Sequence, residues 1–429
     1  MNIFSRHRRW FVLLGLMLIY AATNGIIVHT MPLLYPALID EFSWTTQQIT
    51  LPATVFYIFG AISSPPAGVL LDRFSPRKVM IWGMAGILVC LLCLALISDL
   101  WHMVAIFFGL GLSLSLCGLT ASMVVLTKWF SDLRGRAIGL LLMASSLGGA
   151  LFPLVLGSGM EAYGWRSAIT MVSVVAVIMA IPSLLFFVLD KPAVDDSEPE
   201  LKLEKGDDVN LGQVTAIANA PLGTTLSEAV RKPTFYLIAF ATACVWFSII
   251  ALVQHQSIHL VRDVGIDRSL LPKVFSLFFA CSVVGKLGFG WLGDYLNKEL
   301  TLIASIATFT IGLLIIKQIS GSDNLLLFVY AVVAGVGFSG AFTTIQLLIA
   351  EHYAGASYGK ILAILVMVDS LAGGLGTRVI ATMRDSSDNY LGALNFMIFL
   401  CVIAMLCIYV VKLLNRPNVG LTTQLGVAN

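Results

Sequence analysis

Twelve long apolar runs constrain this chain more than any other feature of its sequence. Each holds about 20 mostly apolar residues, the length at which a helix crosses the hydrocarbon core of a membrane. The chain has 26 Lys and Arg and 24 Asp and Glu residues among 429, about half the charged share of a soluble domain. We therefore predict an all-α membrane protein of twelve helices and exclude a soluble enzyme, a disordered chain and a nucleic-acid binder. The runs lie near residues 10–37, 46–71, 79–97, 102–127, 137–160, 166–189, 234–260, 270–292, 300–318, 324–350, 360–383 and 390–414.

A polar segment separates the runs into two sets of six. Residues 190–232 contain 14 charged side chains, nine of them acidic, together with prolines and no aromatic residue. This composition is typical of a disordered linker, here with one short amphipathic piece near 225–231. We expect four parts: an N-terminal six-helix bundle (1–189), an acidic linker (190–232), a C-terminal six-helix bundle (233–417) and a tail (418–429).

The distribution of Lys and Arg predicts the orientation. Both termini, the linker and the loops on their side hold 18 of these residues, whereas the opposite loops hold six. Because basic loops stay in the cytoplasm, we expect the termini and the linker to be cytoplasmic. The expected location is the cytoplasmic (inner) membrane of a cell.

The two halves also repeat a short motif. Gly68 and Asp72 follow the second run in a GxxxD pattern, and the eighth run is followed, 222 residues later, by Gly290 and Asp294. A repeat of this period, with six helices in each half, predicts a duplicated transporter fold whose two bundles are related by a pseudo-two-fold axis. A second pair of matching segments follows the fourth and tenth runs: Arg134-Gly135-Arg136 and Tyr358-Gly359-Lys360.

The first copy of the motif carries a cluster of charges. Gly68 would let two helices approach closely, and Asp72, at a helix end, can pair with a cation or cap a neighbouring helix. We interpret the motif as a charge latch that holds the halves together in one state and releases in the other. The alternative interpretation is a topology signal without a latch. The further members of the predicted latch are Arg73, Arg77, Lys78, Arg134, Arg136, Gly290 and Asp294.

Three more segments of the first half complete the pattern: Lys128-Trp129-Phe130, Gly148-Gly149 with Pro153, and Tyr163-Gly164-Trp165-Arg166. With the motif above, they resemble the major facilitator superfamily over essentially the whole chain outside the linker, and within it the monocarboxylate and oxalate/formate branch. The resemblance implies two six-helix bundles around a central cavity, alternating access, and a secondary transporter rather than an enzyme. It also implies a small organic anion, a mono- or dicarboxylate, moved by proton symport or anion exchange.

The resemblance extends to the eighth helix. The monocarboxylate family has there an Arg that binds the carboxylate, eight residues before the Asp of the second motif, and this chain has Lys286. The charge is retained, but the bidentate guanidinium fork is lost. The family's Asp one turn earlier is Ser282 here, and its first-helix Lys has no counterpart, the nearest ionisable residue being His29. The coupling ion and the carboxylate geometry therefore stay open.

The residues alone point to the same helices, because an ionisable side chain inside a membrane helix usually faces a cavity or a partner. Lys286 in the eighth helix and Asp369 and Arg378 in the eleventh are such groups. We expect Lys286 and Asp369 to pair between helices, with a substrate carboxylate or a proton competing for the pair. The alternative is a purely structural ion pair. Arg378 is either a second anion contact or a side chain that reaches the outer surface.

His29 lies in the outer third of the first helix. It is either a proton or substrate contact that faces the cavity or an exposed helix-end residue. Asp369 and His29 are the candidates for proton coupling. The pocket shape depends on aromatic residues, for which the candidates are Tyr20, Tyr57 and Trp246.

The sequence indicates no metal and no cofactor. His255 and His259 have helical i, i+4 spacing but no evident third ligand, so we expect a solvated helix end. Gly288, Gly290 and Gly293 match a dinucleotide fingerprint, but they lie in a membrane helix without a preceding strand and indicate close packing. The expected partners are the organic anion, a proton or counter-anion, and the lipid bilayer, with the protein as a monomer.

Two other functions stay open. One is a major facilitator importer or exporter of a larger polycarboxylate, siderophore-like, zwitterionic or drug-like metabolite, since Asp369 would suit a cationic group. The other is a transport-inactive receptor or scaffold that binds a partner through the acidic linker.

Overall fold

The computed structural model describes residues 3–130, 133–189, 225–321, 323–353 and 357–415. These residues form helices and connecting turns, with no strand among them. The predicted linker lies outside the described residues up to position 224, and the predicted tail lies outside them entirely.

The N-terminal half crosses the membrane six times. α1 (Ile3–Asn24) continues through a π-helical turn (Gly25–Thr30), a 3-10 turn (Met31–Leu34) and α2 (Tyr35–Phe42) as one crossing. α5 (Leu100–Cys117) and α6 (Leu119–Trp129) form another. The remaining crossings are α3 (Thr46–Arg73), α4 (Pro76–Leu94) and the two arms of α7 (Arg134–Pro182), which a second π-helical turn (Ser183–Phe187) extends.

α7 reverses its direction at Gly164. The backbone there has a φ of 78° and a ψ of 167°, a left-handed conformation that favours glycine. The indole of Trp129, which precedes α7, donates to the carbonyl of Leu189, which follows it, at 2.8 Å. The two ends of this segment therefore lie on the same side of the membrane. Eleven helices of the described chain are long and apolar enough to cross a membrane. Because α7 is one of these eleven but crosses twice, the number of crossings is the predicted twelve.

The C-terminal half repeats the arrangement. A short helix, α8 (Leu226–Ala229), is capped by Thr225 and precedes the first crossing. The six crossings are α9 (Pro233–Ile258) with a π-helical turn (His259–Asp263), α10 (Leu271–Tyr295), α11 (Lys298–Ile316), α12 (Asn324–Tyr353), α13 (Tyr358–Ser387) and α14 (Leu391–Leu414).

Polar caps set where several helices begin. The side chains of Thr45, Ser75, Asp99 and Asn297 each accept a backbone N–H from the first turn of α3, α4, α5 and α11. These bonds satisfy donors that a helix N-terminus leaves free. Between the caps the backbone must bond within its own helix, because the hydrocarbon core offers no other partner.

The crossings alternate in direction, which defines two faces. We call the face with Ile3 and Leu414 the termini face and the opposite one the distal face. Large apolar side chains such as Val89, Phe186 and Val284 are more than half exposed, as expected of surfaces that contact lipid tails. The protein is therefore a multi-pass membrane protein.

Ion pairs and a helix cap join the two halves at the distal face. Asp40 of the N-terminal half bonds to Arg262 at 2.6 Å and to Arg268 at 2.5 Å. The Asp385 carboxylate accepts the backbone N–H groups of the first two residues of α3, at 3.2 and 2.8 Å, and so caps this helix from the opposite half. We call these contacts the distal closure.

The halves lie apart near the termini face. Where both partners of a hydrogen bond or ion pair between the halves are described, the contact lies at the level of Leu142 in α7 or nearer to the distal face. A Cβ atom would meet nothing within 4 Å at four glycines near the termini face, which are Gly68, Gly139, Gly288 and Gly359. The structure is therefore closed at the distal face and open toward the termini face.

Candidate substrate site

Side chains from both halves contact one turn of α7, at Leu142 and Ser145. The Lys286 ammonium of α10 donates to the Leu142 carbonyl at 2.6 Å and to the Ser145 hydroxyl at 3.1 Å. His29 Nδ1 lies 3.2 Å from the Ser145 carbonyl oxygen. Because a carbonyl oxygen only accepts, Nδ1 carries the proton of this bond. The Tyr20 side chain also interacts with that of Ser145. The structure thus brings together three residues that the sequence singled out.

Lys286 is a buried cation with neutral partners. Only 9% of it is exposed, and its ammonium lies 5.6 Å from the centre of the Phe342 ring. Among the described residues, no ion pair includes Lys286. Since a buried charge is costly unless it is paired, an anion is the group that would complete this arrangement.

His29 is buried between the halves and is not an exposed helix-end residue. Its ring stacks on Phe279 of the opposite half, with centroids 4.0 Å apart and planes inclined by 19°. The π-helical turn that carries it packs tightly against α7: a Cβ on Gly149 would come within 3 Å of both the His29 and Phe279 rings. The Gly148-Gly149 pair is therefore required for α7 to approach the first crossing and α10.

Asp369 belongs to a second part of the site. It is 4% exposed, its carboxyl interacts with the Thr242 side chain of α9, and its Oδ1 has no hydrogen-bond partner. The predicted pair of Lys286 and Asp369 is wrong in this structure. The Lys286 ammonium turns toward α7 of the other half, whereas Asp369 faces α9 within its own half.

An aromatic pair connects the two parts. Trp246 lies one helical turn after Thr242, and its ring packs edge-on against Phe342 with centroids 5.7 Å apart. Phe342 in turn lies beneath the Lys286 ammonium. We use the name substrate site for Tyr20, His29, Thr242, Ser145, Trp246, Lys286, Phe342 and Asp369.

Tyr57 and Arg378 lie on the distal side of this site. Tyr57 accepts a hydrogen bond from Gln254 at 3.3 Å, and Tyr35 donates to the same glutamine at 2.7 Å. Arg378 donates to the Gln47 carbonyl of the opposite half at 2.9 Å. The structure places Arg378 among the contacts that join the halves, away from Lys286.

The sequence alone did not identify Ser145, Thr242 or Phe342. Ser145 is one of two adjacent serines just before Gly148-Gly149, and this polar pair inside an apolar run is the signal that could have found it. Thr242 and Phe342 carry no comparable signal, because single Thr and Phe residues are common throughout these helices.

The profile of one transporter family matches both halves of this chain. The Major Facilitator Superfamily profile fits residues 10–259 and again 256–427. The chain belongs to the Major Facilitator Superfamily. Members of this superfamily are secondary transporters and not enzymes, so the protein is a membrane transporter for a small-molecule substrate.

Individual relatives share about a quarter of their residues with this superfamily member. Monocarboxylate transporter 13 of Bos taurus is 24% identical over 394 residues, which cover 89% of this chain and 84% of the relative. The membrane sensor protein UhpC of Escherichia coli is 24% identical over 267 residues, which cover 61% of this chain and 59% of that protein. The first of these relatives agrees with the resemblance to the monocarboxylate branch.

A solved structure confirms the major facilitator fold. A bacterial homologue of the human lysosomal transporter Spinster, in an inward-facing and unoccupied conformation, superimposes with a TM-score of 0.70 at 17% identity, and the match covers 95% of this chain and 96% of the other. The prediction of two six-helix bundles is therefore confirmed.

The predicted latch of this major facilitator protein is only partly described. The side chains of Asp72 and Arg134 lie outside the described residues. The Arg77 guanidinium donates to the Leu184 and Leu185 carbonyls of its own half, at 3.0 and 2.5 Å. Arg73, Lys78, Arg136 and Asp294 are exposed near the termini face. The latch therefore stays a prediction.

The expectation of close packing is wrong at Gly68 in this conformation, and for the fingerprint glycines it holds at Gly293 only. A Cβ at Gly68 or Gly288 would meet nothing within 4 Å, and at Gly290 it would make ordinary contact with Thr343 at 3.7 Å. Among the fingerprint glycines, Gly293 is the tightly packed one, because a Cβ there would lie 2.6 Å from the Leu347 side chain. The physical reason is that the termini-side ends of α3 and α10 border the open space between the halves.

The expectation of a solvated helix end at His255 and His259 is also wrong. Both are buried, because the end of α9 is covered by α13 and by the start of α14. His255 Nδ1 lies 2.7 Å from the Tyr390 hydroxyl and its Nε2 lies 2.9 Å from the Thr377 carbonyl oxygen. His259 lies 3.5 Å from Asp263. No group of three metal-ligating side chains occurs in the part of the chain that the structure describes.

Proposed function

We propose that this transporter moves a small organic anion, a mono- or dicarboxylate, by alternating access, and that the carboxylate binds at Lys286. The observation that carries the proposal is the buried Lys286 ammonium whose described partners are all neutral. A carboxylate supplies the missing negative charge where the low dielectric strengthens the attraction.

The remaining residues of the substrate site suit such a ligand. The Ser145 hydroxyl donates to the Leu142 carbonyl at 3.0 Å in this conformation, and it can turn to a bound carboxylate instead. Tyr20 offers a further hydroxyl, and the rings of Phe342 and Trp246 can cover a short apolar body. A lysine binds a carboxylate as a point charge and without the two-pronged geometry of an arginine, so this site should accept carboxylates of differing shape.

The position of Lys286 explains how binding would affect the two halves. Its ammonium belongs to the C-terminal half, but both of its hydrogen bonds go to α7 of the N-terminal half. An anion that takes over these bonds changes the interaction between the halves, and a ligand shifts a conformational equilibrium only through such differential contacts. The similarity to monocarboxylate transporter 13, whose name states the same substrate class, supports the proposal.

The setting in the cell follows from the charge distribution. The 18 basic residues on the termini side support a cytoplasmic position for that face, and the structure then corresponds to the state that is open to the cytoplasm. The protein acts as a monomer in a cytoplasmic membrane, coupled to protons or to a counter-anion.

Counterflow in proteoliposomes tests the proposal. Vesicles are loaded with lactate, oxalate, citrate or an amino acid, and uptake of labelled lactate and of labelled oxalate is followed. We expect internal lactate or oxalate to stimulate uptake, and citrate and amino acids to have no effect. Stimulation by citrate or amino acids alone would overturn the small-anion assignment in favour of the larger or zwitterionic substrate.

A second candidate function is sensing without transport. The similarity to the membrane sensor UhpC and the acidic segment 190–232 favour it. A sensor would bind an anion, seen as a rise in Tm, without any counterflow. Deletion of residues 195–220 separates the two functions, because a transporter keeps its counterflow after the deletion.

A further inference from the structure

We propose that His29 makes the transporter selective for α-hydroxy acids, because its Nε2 atom accepts a hydrogen bond from the hydroxyl group beside the substrate carboxylate; this inference rests on the proposed transport of a small organic anion. The His29 side chain lies in the substrate site and is 5% exposed. Among the described residues, its Nε2 has no hydrogen-bond partner. A buried polar atom without a partner is costly, and a hydroxyl group of the substrate would supply one.

The contact of His29 with α7 fixes which nitrogen carries the proton. Nδ1 lies 3.2 Å from the Ser145 carbonyl oxygen, which only accepts, so the proton is on Nδ1 and Nε2 of the neutral ring is an acceptor. A second proton, on Nε2, would add a positive charge to a buried ring that shares Ser145 with the Lys286 ammonium, and two like charges in a buried site repel strongly. His29 therefore offers the substrate a neutral acceptor.

The packing of the His29 ring leaves its Nε2 edge available. One face of the ring stacks on Phe279, with centroids 4.0 Å apart. The Nδ1 edge lies against α7, where a Cβ on Gly149 would be 2.7 Å from Nδ1. Since the two nitrogen atoms lie on either side of one ring carbon, Nε2 points away from the Ser145 carbonyl that Nδ1 contacts. The stacking and the contact with α7 therefore fix the direction of the acceptor.

This acceptor lies beside the cation to which we assign the carboxylate. Lys286 contacts the Ser145 hydroxyl at 3.1 Å, and His29 contacts the carbonyl of the same residue at 3.2 Å. Adjacent groups of one small molecule can therefore reach both side chains. An α-hydroxy acid carries its hydroxyl on the carbon next to the carboxylate, so the carboxylate can bind Lys286 while the hydroxyl donates to Nε2.

Other small acids satisfy this arrangement less well. An unsubstituted acid leaves Nε2 buried and unpaired, and an α-keto acid places a second acceptor against it. A site that hydrogen-bonds a substrate hydroxyl discriminates strongly against an analogue that lacks it. The expected order of affinity is therefore lactate above propionate, and pyruvate no better than propionate.

His29 differs in this respect from the other polar groups of the substrate site. The Tyr20 and Ser145 hydroxyls can donate as well as accept, so they tolerate an α-keto group as readily as an α-hydroxyl group. The Lys286 ammonium only donates. Asp369 could also accept a hydrogen bond, but it faces α9 in the second part of the site. The selection of a hydroxyl beside the carboxylate therefore falls to His29.

The test compares acids that differ only in the hydroxyl group. Lactate is paired with propionate, and glycolate with acetate, while pyruvate serves as the α-keto acid. Each acid competes with labelled lactate in proteoliposome counterflow, which gives its half-inhibition concentration. We expect wild-type protein to bind lactate about tenfold more tightly than propionate, and glycolate about tenfold more tightly than acetate.

Two substitutions of His29 remove the acceptor in different ways. His29→Asn keeps an N–H donor near the position of Nδ1 and has no counterpart of Nε2, and His29→Phe keeps a ring that can stack on Phe279. In both variants we expect lactate to fall to the level of propionate. The ratio within a pair is the readout, because a purely structural role would weaken both acids alike. His102→Phe, at an exposed histidine, is the matched control and should keep the wild-type ratio.

The outcomes separate the two proposals. Absence of lactate and oxalate counterflow in the wild type contradicts the proposed function itself. Wild-type counterflow in which lactate and propionate compete equally overturns the inference and leaves the proposed function standing. A wild-type ratio retained in either His29 variant overturns it as well, because another group then recognises the hydroxyl. A His29 variant of unchanged Tm that binds neither acid assigns His29 to the carboxylate itself and also overturns the inference.

Discussion

The Lys286 ammonium lies 3.1 Å from the Ser145 hydroxyl oxygen, so a cation of one half is held by the other half. The same ammonium reaches the Leu142 carbonyl at 2.6 Å. The hydrogen bonds of this buried lysine go only to the opposite half. In the proposed function it therefore has two roles: it offers an uncompensated charge to an anion, and the loss of its bonds to α7 when the anion binds changes the interaction between the halves.

Ser145→Ala should weaken anion binding while the protein still folds. It removes the hydroxyl that, in the proposed function, turns from the Leu142 carbonyl to a bound carboxylate. A hydrogen bond to a charged group contributes about 1.5 kcal/mol, or about tenfold in the half-saturation concentration. The measurement is the concentration dependence of counterflow. Ser158→Ala is the control, because its hydroxyl is exposed and bonds to Val155 of its own helix. An unchanged half-saturation concentration in Ser145→Ala would contradict the role of this serine.

Asp385→Asn should weaken the distal closure. The carboxylate caps α3 from the opposite half with two backbone bonds, and a neutral amide loses the charge that strengthens them. A loss of about 1.5 kcal/mol would make the distal side open about tenfold more often.

Labelling of a Ser257→Cys variant measures this opening, in a protein whose native cysteines are replaced. Ser257 is fully buried and bonds to the Pro32 carbonyl across the halves. We expect Asp385→Asn to speed its labelling by an impermeant maleimide from the distal side. Asp388→Asn, at an exposed neighbouring position, should leave the rate unchanged. Equal rates in both variants would show that Asp385 does not hold the closure.

Gly149→Ala should destabilise the protein and impair transport. The added methyl would come within 3 Å of the His29 and Phe279 rings, and overpacking of this kind costs about 1–3 kcal/mol. We expect a lower Tm and slower counterflow. Gly392→Ala is the control, because a Cβ there meets nothing within 4 Å. A Gly149→Ala variant with wild-type Tm and counterflow would contradict the packing described around His29.

The fold could be predicted from the sequence because the membrane imposes it. Runs of about 20 apolar residues have no alternative to helices in a bilayer, and the linker divides them into halves. Charged residues are scarce in these apolar runs, so Lys286 and Asp369 could be identified from the sequence as special positions. His29 was a candidate because of its depth in the first helix, and Tyr20 because an aromatic residue could shape the pocket. The structure brings both to Ser145, which also accepts a hydrogen bond from Lys286.

The pairing of these residues could not be predicted. The rotation of each helix about its own axis decides whether Lys286 faces Asp369 or α7, and no local pattern encodes that rotation. His255 was misjudged for a related reason, since the cover over the end of α9 comes from α13 and α14, more than a hundred residues away in the chain.

The most direct test of the central claim is lactate counterflow in proteoliposomes with Lys286→Ala, Lys286→Arg and Lys317→Ala. Lys317 donates to Asn395 at an exposed position and serves as the matched control. We predict that Lys286→Ala reduces counterflow to the level of empty vesicles, that Lys286→Arg keeps it, and that Lys317→Ala leaves it unchanged. A correctly inserted Lys286→Ala protein that exchanges lactate at the wild-type rate would contradict the account.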